Sequence, residues 1–210
     1  EADLSDTVAC VAMIEAHAPD AVINAAAYTN VDAAEADAAR ATQINGVAPG
    51  ALARACAARG IPFLTLSTDY VFNGIGHAPW RPSDWSEPLN AYGRSKRQGE
   101  VETRAAGGTG LRTSWVISAQ GRNFVTSMLR MSETRRHINV VSDQIGGPTC
   151  ADDIAQACAQ IISHLRYDPR AAGIYHYAGG PPISWANFAR ALFAAAPRPV
   201  AVPEVPTSAK

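Results

Sequence analysis

The stretch IPFLTLS at residues 61–67 decides the fold of this chain. It is short, mostly apolar and preceded by Gly60, which predicts a strand buried in a parallel sheet. The run AVINAA at residues 21–26 predicts a second such strand, and the alanine-rich segment 35–59 between the two predicts a helix. A strand, a helix and a strand in this order indicate an α/β fold.

The same alternation continues outward from this unit. Ser5 and Ser184 each precede a helical segment and predict a cap there. The further predicted helices are 8–18, 92–104, 123–134, 151–165 and 184–196, and the further predicted strands are 111–117, 138–141 and 173–178. The whole pattern predicts a Rossmann-like, doubly wound parallel sheet.

Composition argues against several classes of protein. The 210 residues are 47% hydrophobic and 18% charged, with a net charge of −1. This balance supports a core and disfavours both disorder and a nucleic-acid surface. No apolar stretch approaches the roughly 20 residues of a membrane span. No metal site is expected.

The four cysteines lack the spacing of a zinc or redox motif. None belongs to a C-x-x-C pair, and none stands beside a histidine at ligand spacing. Their apolar surroundings predict buried free thiols, which fits a reducing cytoplasm. The four are Cys10, Cys56, Cys150 and Cys158.

Tyr92 and Lys96 form a Y-x-x-x-K motif on a predicted helix. Residues four apart share one face of a helix, so the phenol and the ammonium are expected close together. A nearby cation lowers the pKa of a tyrosine from about 10, and such a phenol can donate a proton to a carbonyl oxygen during hydride reduction. A solvated Tyr–Lys face has the same spacing, so the motif alone does not decide.

Polar residues follow three predicted strands, at the edge where ligands of parallel sheets bind. The three clusters are residues 24–30, 67–73 and 115–118. In short-chain dehydrogenases the strand before the Tyr helix ends in a Ser or Thr that holds the substrate carbonyl, and Thr68 is the candidate here. A hydroxyl that simply ends a strand is also common.

Six motifs occur in the order found in one known family. They are NAAAYTNVDAAE at 24–35, STDYVF at 67–72, PLNAYGRSKRQGE at 88–100, RTSWV at 112–116, NF at 123–124 and DQIGGPT at 143–149. On these residues the chain resembles the dTDP-4-dehydrorhamnose reductases, a family of extended short-chain dehydrogenases. The resemblance implies a Rossmann-like domain of residues 1–119 and 144–165, and a smaller substrate-binding lobe of residues 120–143 and 166–210.

The resemblance implies roles for residues at the strand ends. Tyr92 would donate the proton, and Lys96 would bind the nicotinamide ribose and lower the pKa of Tyr92. Thr68 would hydrogen-bond the 4-keto oxygen, with Asp69 nearby on the sugar nucleotide. Trp115 would pack against the sugar, although a core aromatic is the alternative for this residue.

The resemblance also implies a cofactor, NADPH or NADH. The residues that would line it, besides Tyr92 and Lys96, are Asp3, Leu4, Ala25, Ala26, Ala27, Tyr28, Thr29 and Ser67. Asp3 is equally well explained as an acid that leads into a helix. The family's glycine-rich pyrophosphate turn has no counterpart in these residues and is expected to precede Glu1.

The activity that the resemblance implies is reduction of dTDP-4-dehydro-L-rhamnose to dTDP-L-rhamnose, for cell-surface polysaccharide. The partner would be a dTDP-linked 4-keto-6-deoxy sugar, with no nucleic acid and no membrane, and a homodimer is left open. Three alternatives are a reductase of another nucleotide-linked 4-keto sugar, a non-catalytic subunit like the regulatory subunit of methionine adenosyltransferase, and a sugar epimerase. Residues 29–32 and the Trp115 motif favour a reductase over an epimerase.

Overall fold

Strands and helices alternate along residues 2–209, the part of the chain that the structure, a computed structural model, describes. The helices are α1 Thr7–His17, α2 Val31–Ala36, α3 Ala38–Thr42, α4 Ala48–Ala58, α5 Ala91–Ala105, α6 Phe124–Ser132, α7 Ala151–Tyr167 and α8 Trp185–Ala195. The strands are β1 Val22–Asn24, β2 Phe63–Thr68, β3 Thr109–Thr113, β4 Val116–Ile117, β5 Val140–Val141, β6 Ile145–Gly146, β7 Thr149–Cys150, β8 Ile174–His176, β9 Ile183–Ser184 and β10 Glu204–Val205. This order confirms the predicted α/β fold.

The main sheet contains four parallel strands in the order β1-β2-β3-β8. β2 lies between β1 and β3, and its residues are buried along most of its length. In the register of β2 with β3, Leu66 lies opposite Leu111 and Thr68 opposite Thr113. Because the strands are parallel, their carboxyl ends share one edge, which at β2 carries Ser67 and Thr68. The predicted parallel sheet is therefore confirmed.

The chain divides into two compact units. The first comprises the residues up to Thr113 together with Gln156–Tyr177, and the second comprises Ser114–Ala155 and the residues from Ala178. These bounds differ from the predicted domains, since residues 114–119 and 144–155 belong to the second unit and residues 166–177 to the first. The assignment of one part to dinucleotide and the other to substrate stays a prediction.

Each unit has its own core. In the first, the helices α1 and α4 pack on the main sheet around Cys56 and Phe63. In the second, α6 and α8 enclose a cluster that includes Met128 and Phe193. Three small sheets complete the second unit, with β4 parallel to β7, β5 parallel to β10, and β6 antiparallel to β9.

The segment 35–59 is not the single helix that its alanine content predicts. It contains the end of α2, then α3, a π-helical turn at Gln43–Val47, and α4. Asp37 leaves helical geometry, with φ −133° and ψ 59°, and its carboxylate caps α3 by accepting from the amide of Arg40. Alanine favours helix at every position and so gives no indication of these breaks.

The predicted strand at 111–117 also divides, into β3 and β4. Trp115 lies between them with a φ of +50°. This left-handed conformation is an outlier for a bulky residue and costs about 1–3 kcal/mol, so the surrounding structure must hold it.

Two other local predictions have opposite outcomes. Ser184 caps α8 as expected, accepting from the amide of Asn187 at 3.1 Å. The predicted cap at Ser5 is wrong, because Asp6 caps α1 and accepts from the amide of Ala9 at 2.9 Å. The four cysteines are free thiols as predicted, three of them buried and Cys150 half-buried.

Candidate active site

Helix α5 begins at the point that positions Tyr92 and Lys96 beside the end of β2. Asn90 caps the helix, accepting from the amide of Gly93 at 2.7 Å, so Tyr92 lies in the first turn and Lys96 one turn later. Gly93 is required at this position, because a Cβ there would overlap the backbone carbonyl of Tyr70. The predicted Y-x-x-x-K helix is therefore present and closely packed.

Lys96 is a buried cation. Lys96 is 5% exposed, and its Nζ donates to the carbonyl oxygen of Leu66 at 2.6 Å. Burial lowers the pKa of Lys96 to about 8, and the carboxylate of Glu100 opposes that shift. The ammonium is thus mostly charged at neutral pH and titrates within a mildly alkaline range.

Tyr92 is half-buried and lies against Thr68, the last residue of β2, and Tyr70, which follows the strand. The ring meets that of Tyr70 edge to face, with centroids 5.6 Å apart. Burial raises the pKa of Tyr92 to about 12, a hydrogen bond with Thr68 lowers it, and Asp69 raises it. The expected net lowering of this pKa is wrong for the chain by itself, because desolvation outweighs the favourable contacts.

Thr68 connects the strand end to the phenol. It is 5% exposed, its hydroxyl accepts from the amide of Tyr70 at 3.2 Å and donates to the carboxylate of Asp69 at 3.2 Å, and it also shares a hydrogen bond with Tyr92. The structure therefore brings together Thr68, Asp69 and Tyr92 at the end of β2, and Lys96 bonds to Leu66 two residues earlier on the same strand.

The loop after β1 is held by a residue that the sequence reasoning missed. Asn45, in the π-helical turn, accepts from the amide of Tyr28 at 2.8 Å and donates to its carbonyl at 3.0 Å. Nδ2 of Asn45 also donates to the hydroxyl of Ser95 on α5 at 3.0 Å. Asn45 is 1% exposed and fully bonded, and it ties this loop to the helix of the Tyr–Lys pair. An asparagine inside an alanine-rich helix was the available signal.

The other predicted cofactor residues occupy varied positions. Ala25, Ala26 and Thr29 are exposed in the loop after β1, and Ala27 is half-buried. Ser67 is buried and its hydroxyl donates to Glu100 at 2.6 Å, so the hydroxyl proton is engaged within the protein. Leu4 packs on the core of the first unit.

Asp3 is exposed, and its carboxylate accepts from the amide of Ser5 at 2.9 Å. These hydrogen bonds lower the pKa of Asp3. Asp3 therefore lies in a turn just before α1, which is the position that the alternative explanation expects. Its carboxylate stays accessible.

Trp115 lies in the second unit with both faces of its indole covered. One face stacks on Trp185 at a centroid distance of 3.4 Å and an interplanar angle of 7°. A Cβ on Gly146 would clash with three atoms of the five-membered ring at once, Cε2, Nε1 and Cδ2, so that glycine lies over the other face. Both faces of the indole are therefore occupied within the protein, and packing of Trp115 against a sugar stays a prediction.

The residues around the end of β2 fit a nicotinamide cofactor. Lys96 has three N–H donors and uses one of them on Leu66, which leaves donors for ribose hydroxyls. The small side chains of Ala25 and Ala26 allow close approach to the loop after β1. Within residues 2–209, no cluster of three or more His, Cys, Asp or Glu could hold a metal ion, and no helix is long and apolar enough to cross a membrane.

A parallel sheet with a Tyr–Lys pair on the helix that follows a hydroxyl-ended strand defines the class of short-chain dehydrogenases. A family model described as the RmlD substrate binding domain matches residues 1–210. Over 223 aligned residues the chain is 41% identical to dTDP-4-dehydrorhamnose reductase of Burkholderia thailandensis, covering 100% of this chain and 75% of that protein. The chain belongs to the dTDP-4-dehydrorhamnose reductase family.

Solved structures agree with this family. A dTDP-4-dehydrorhamnose reductase from Clostridium acetobutylicum superposes with a TM-score of 0.92 at 32% identity, covering 99% of this chain and 72% of that one. The enzyme from Bacillus anthracis, in complex with NADP, superposes with a TM-score of 0.88 at 33% identity, covering 99% and 73%. The chain spans 59 to 67% of the length of seven further curated relatives.

Proposed function

We propose that this protein reduces the 4-keto group of dTDP-4-dehydro-L-rhamnose to give dTDP-L-rhamnose, with NADPH or NADH as the reductant. The observation that carries the proposal is the cluster of Thr68, Tyr92 and Lys96 at the end of β2. By resemblance to the family, Thr68 would bind the carbonyl, Tyr92 would donate the proton and Lys96 would bind the ribose. The family membership and the NADP-bound relative support the same reaction.

The reduction requires a hydride at C4 and a proton on the carbonyl oxygen, and the cofactor supplies the hydride when bound. Tyr92 donates the proton, since burial keeps its phenol protonated well above neutral pH. Thr68 contacts the phenol, and its single hydroxyl proton would turn from Asp69 to the keto oxygen when substrate binds. Asp69 lies beside both groups and would contact the sugar nucleotide.

Lys96 has two roles in this proposal. Its ammonium binds the ribose hydroxyls, and its positive charge stabilises the tyrosinate that remains after proton transfer. Both roles need the charged form. Since the Lys96 pKa is about 8 in the protein alone, we expect kcat/KM for the cofactor to fall as the pH rises through that region.

The remaining cofactor contacts come from the loop after β1 and from the start of the chain. Ala25, Ala26, Ala27, Tyr28 and Thr29 would line the cofactor, with Tyr28 fixed by Asn45. Asp3 and Leu4 would contact the adenine. Ser67 would contribute through its backbone.

Trp115 would contribute to sugar binding through its ring edge. Its stacking on Trp185 and Gly146 fixes the ring in place, so the edge is presented in one orientation. A preference for a 6-deoxy sugar would then come from an apolar edge that offers nothing to a C6 hydroxyl, worth about 1–3 kcal/mol.

We also propose that the protein works in a reducing cytoplasm, because free, mostly buried thiols are suited to that compartment. A homodimer would be tested by sedimentation of the purified protein. The non-catalytic alternative predicts cofactor binding without turnover.

The test is an NADPH-oxidation assay on the protein with its natural termini, using dTDP-4-dehydro-L-rhamnose and, separately, its 6-hydroxy analogue and another nucleotide-linked 4-keto sugar. We expect stoichiometric formation of dTDP-L-rhamnose and a higher kcat/KM for the 6-deoxy substrate. Cofactor binding with no turnover of any substrate would favour the regulatory alternative, and equal turnover of another sugar would reassign the substrate.

A further inference from the structure

Glu100 is a buried carboxylate that the proposed reaction does not use. It lies on α5 one helical turn after Lys96 and is 1% exposed. An ionised group at such a depth is costly unless it is paired and hydrogen-bonded, so its partners indicate its role. Glu100 raises the pKa of Lys96 against the burial that lowers it.

Lys96 and Glu100 tie α5 to consecutive residues of β2. Nζ of Lys96 donates to the carbonyl oxygen of Leu66 at 2.6 Å, and the hydroxyl of Ser67 donates to Oε1 of Glu100 at 2.6 Å. The next residue of the strand is Thr68, which bonds with the phenol of the same helix. The two buried side chains therefore set the register of the helix against the strand end that carries the site.

Arg112 on β3 holds the Glu100 carboxylate in one orientation. Its Nε donates to Oε1 at 2.7 Å and its Nη2 donates to Oε2 at 2.7 Å. The same guanidinium donates to the carbonyl of Pro82 and to the hydroxyl of Ser86, and lies 4.8 Å from the centroid of the Phe72 ring. With both oxygens engaged, the Glu100 carboxylate is fixed in place on the helix, one turn after Lys96.

Two further titratable groups face this ion pair. Nη1 of Arg97 on α5 lies 3.7 Å from Oε2 of Glu100. The ring of His176 on β8 lies 3.3 Å from Nη1 of Arg112, and burial together with that cation lowers the His176 pKa, so the ring is neutral at neutral pH. Both charged partners of Glu100 are therefore arginines. Glu100 carries the negative charge that favours the charged form of Lys96.

An ion pair that serves only to hold the fold is the competing explanation. Such pairs add little net stability, and apolar replacements are frequently tolerated. That role requires only that Glu100 and Arg112 meet. It does not require the carboxylate to stand one turn from Lys96 or to bond the residue that precedes Thr68.

We infer that Glu100, oriented by Arg112, is a positioning residue that keeps the Lys96 ammonium charged and seated at the end of β2, where Tyr92 donates its proton. The purpose of this arrangement rests on the proposed reductase function. The effect on Lys96 itself belongs to the protein alone and is measurable without turnover.

The measurement uses the protein with its natural termini, grown on lysine labelled with ¹³C at Cε, and the signal of Lys96 is assigned as the one that Lys96→Arg removes. Its Cε shift is followed by NMR as the pH is raised, before and after adding Glu100→Gln. Glu102→Gln is the matched control, since Glu102 is on the same helix but pairs with exposed Arg54.

Glu100→Gln is expected to move the midpoint of the Lys96 titration to lower pH by about one to two units, because an opposing charge is lost beside a buried cation. Glu102→Gln should leave the midpoint within error of the parent. A midpoint that stays, or that rises toward the value of a hydrated lysine, would overturn the inference. Loosened packing alone would produce such a result.

A second variant covers the case in which Glu100→Gln does not fold. Glu100→Met with Arg112→Met removes both charges and leaves neither unpaired. The Lys96 midpoint should again fall, since Glu100 is the charge that acts on Lys96, and a midpoint unchanged from the parent would count against the role.

Kinetics of the protein with its natural termini give an independent readout. The alkaline limb of the profile of kcat/KM for the cofactor should move to lower pH in Glu100→Gln, with activity recovered toward the acid side. A uniform loss at every pH would indicate a merely structural residue. If the parent has no reductase activity, the proposed function fails while the NMR result still decides the effect on Lys96.

Discussion

Tyr92 and Lys96 show how one cause acts oppositely on an acid and a base. Burial raises the pKa of Tyr92 to about 12 and lowers that of Lys96 to about 8, because both charged forms lose hydration. The sequence could predict that the two residues share a helix face, but not this balance. Depth of burial depends on what packs around α5, including Tyr70 and Thr68, and no local pattern encodes that.

Replacing Tyr92 with Phe should remove the proton donor and leave the ring packing. General acid catalysis is worth about 10²–10⁴-fold, so we expect kcat to fall by that factor while the melting temperature changes little. Tyr167→Phe, which deletes a hydroxyl from an exposed ring, is the control. Steady-state NADPH oxidation measures both, and near-parental kcat in Tyr92→Phe would remove the phenol from the mechanism.

Lys96 should also change how stability depends on pH. Its folded pKa of about 8 lies below the ordinary 10.5, so between these values the unfolded chain binds more protons. The free energy of unfolding should therefore rise with pH across this window, by about 3 kcal/mol at most. Below pH 8 both states are protonated and the full cost of burying the charge is present.

The measurement is the difference between the parent and Lys96→Met in urea unfolding from pH 7 to 10.5. Taking a difference is necessary because the Cys56 pKa, raised to about 11 by burial, and that of Tyr92 give the opposite slope above pH 9. A difference that is flat across the window would show that Lys96 is hydrated in the folded protein.

Among the elements, those defined by a local apolar pattern were predicted well and those broken by tertiary contacts were not. The strand at 61–67 and the helix at 92–104 correspond to β2 and α5 within one or two residues. The prediction of one helix at 35–59 failed because Asp37 caps a new helix, α3, and because Asn45 lies in a π-helical turn that bonds to a distant loop. Asn45 bonds to Tyr28, 17 residues away in sequence, and an alanine-rich pattern carries no record of such a partner.

The contact between α5 and the π-helical turn leads to a prediction about Gly99. A Cβ at Gly99 would overlap the backbone carbonyl of Asn45, which cannot move aside without disturbing the turn. Gly99→Ala should therefore destabilise the protein by about 1–3 kcal/mol, although alanine is the better helix former.

Gly46→Ala is the matched control for the same interface. Its Cβ would meet the flexible side chain of Gln98 at 3.1 to 3.3 Å, which can rotate away. Urea unfolding should show little change for Gly46→Ala. If Gly99→Ala is equally mild, the backbone of α5 has room to shift and the close approach is not required.

At the level of the whole molecule, the two compact units have other bounds than the predicted domains, whose roles stay a prediction. The strand β5 pairs with β10, more than 60 residues later, and residues 144–155 join the second unit through β6 and β7. These pairings join short strands of two residues each, too short to show periodicity. The α/β class follows from alternation along the chain, whereas the pairing of distant short strands does not.

Separate cores predict that the two units respond separately to cavities. Phe193→Ala should cost about 3–5 kcal/mol in the second unit and reduce the hydrogen-exchange protection of the Ile138 and Val140 amides. Phe63→Ala should do the same in the first unit, for the amides of the β2–β3 ladder. Loss of protection throughout the chain from either change would show that the units unfold as one.

The stack of Trp115 on Trp185 gives the second unit an optical signature. Two indoles in van der Waals contact couple their electronic transitions, which alters circular dichroism in the aromatic bands and quenches emission. The chain has four tryptophans, and the other two, Trp80 and the exposed Trp85, lie in the first unit. Trp185→Phe should remove the coupled band and brighten Trp115, so ordering of the second unit can be followed by light alone, without a label.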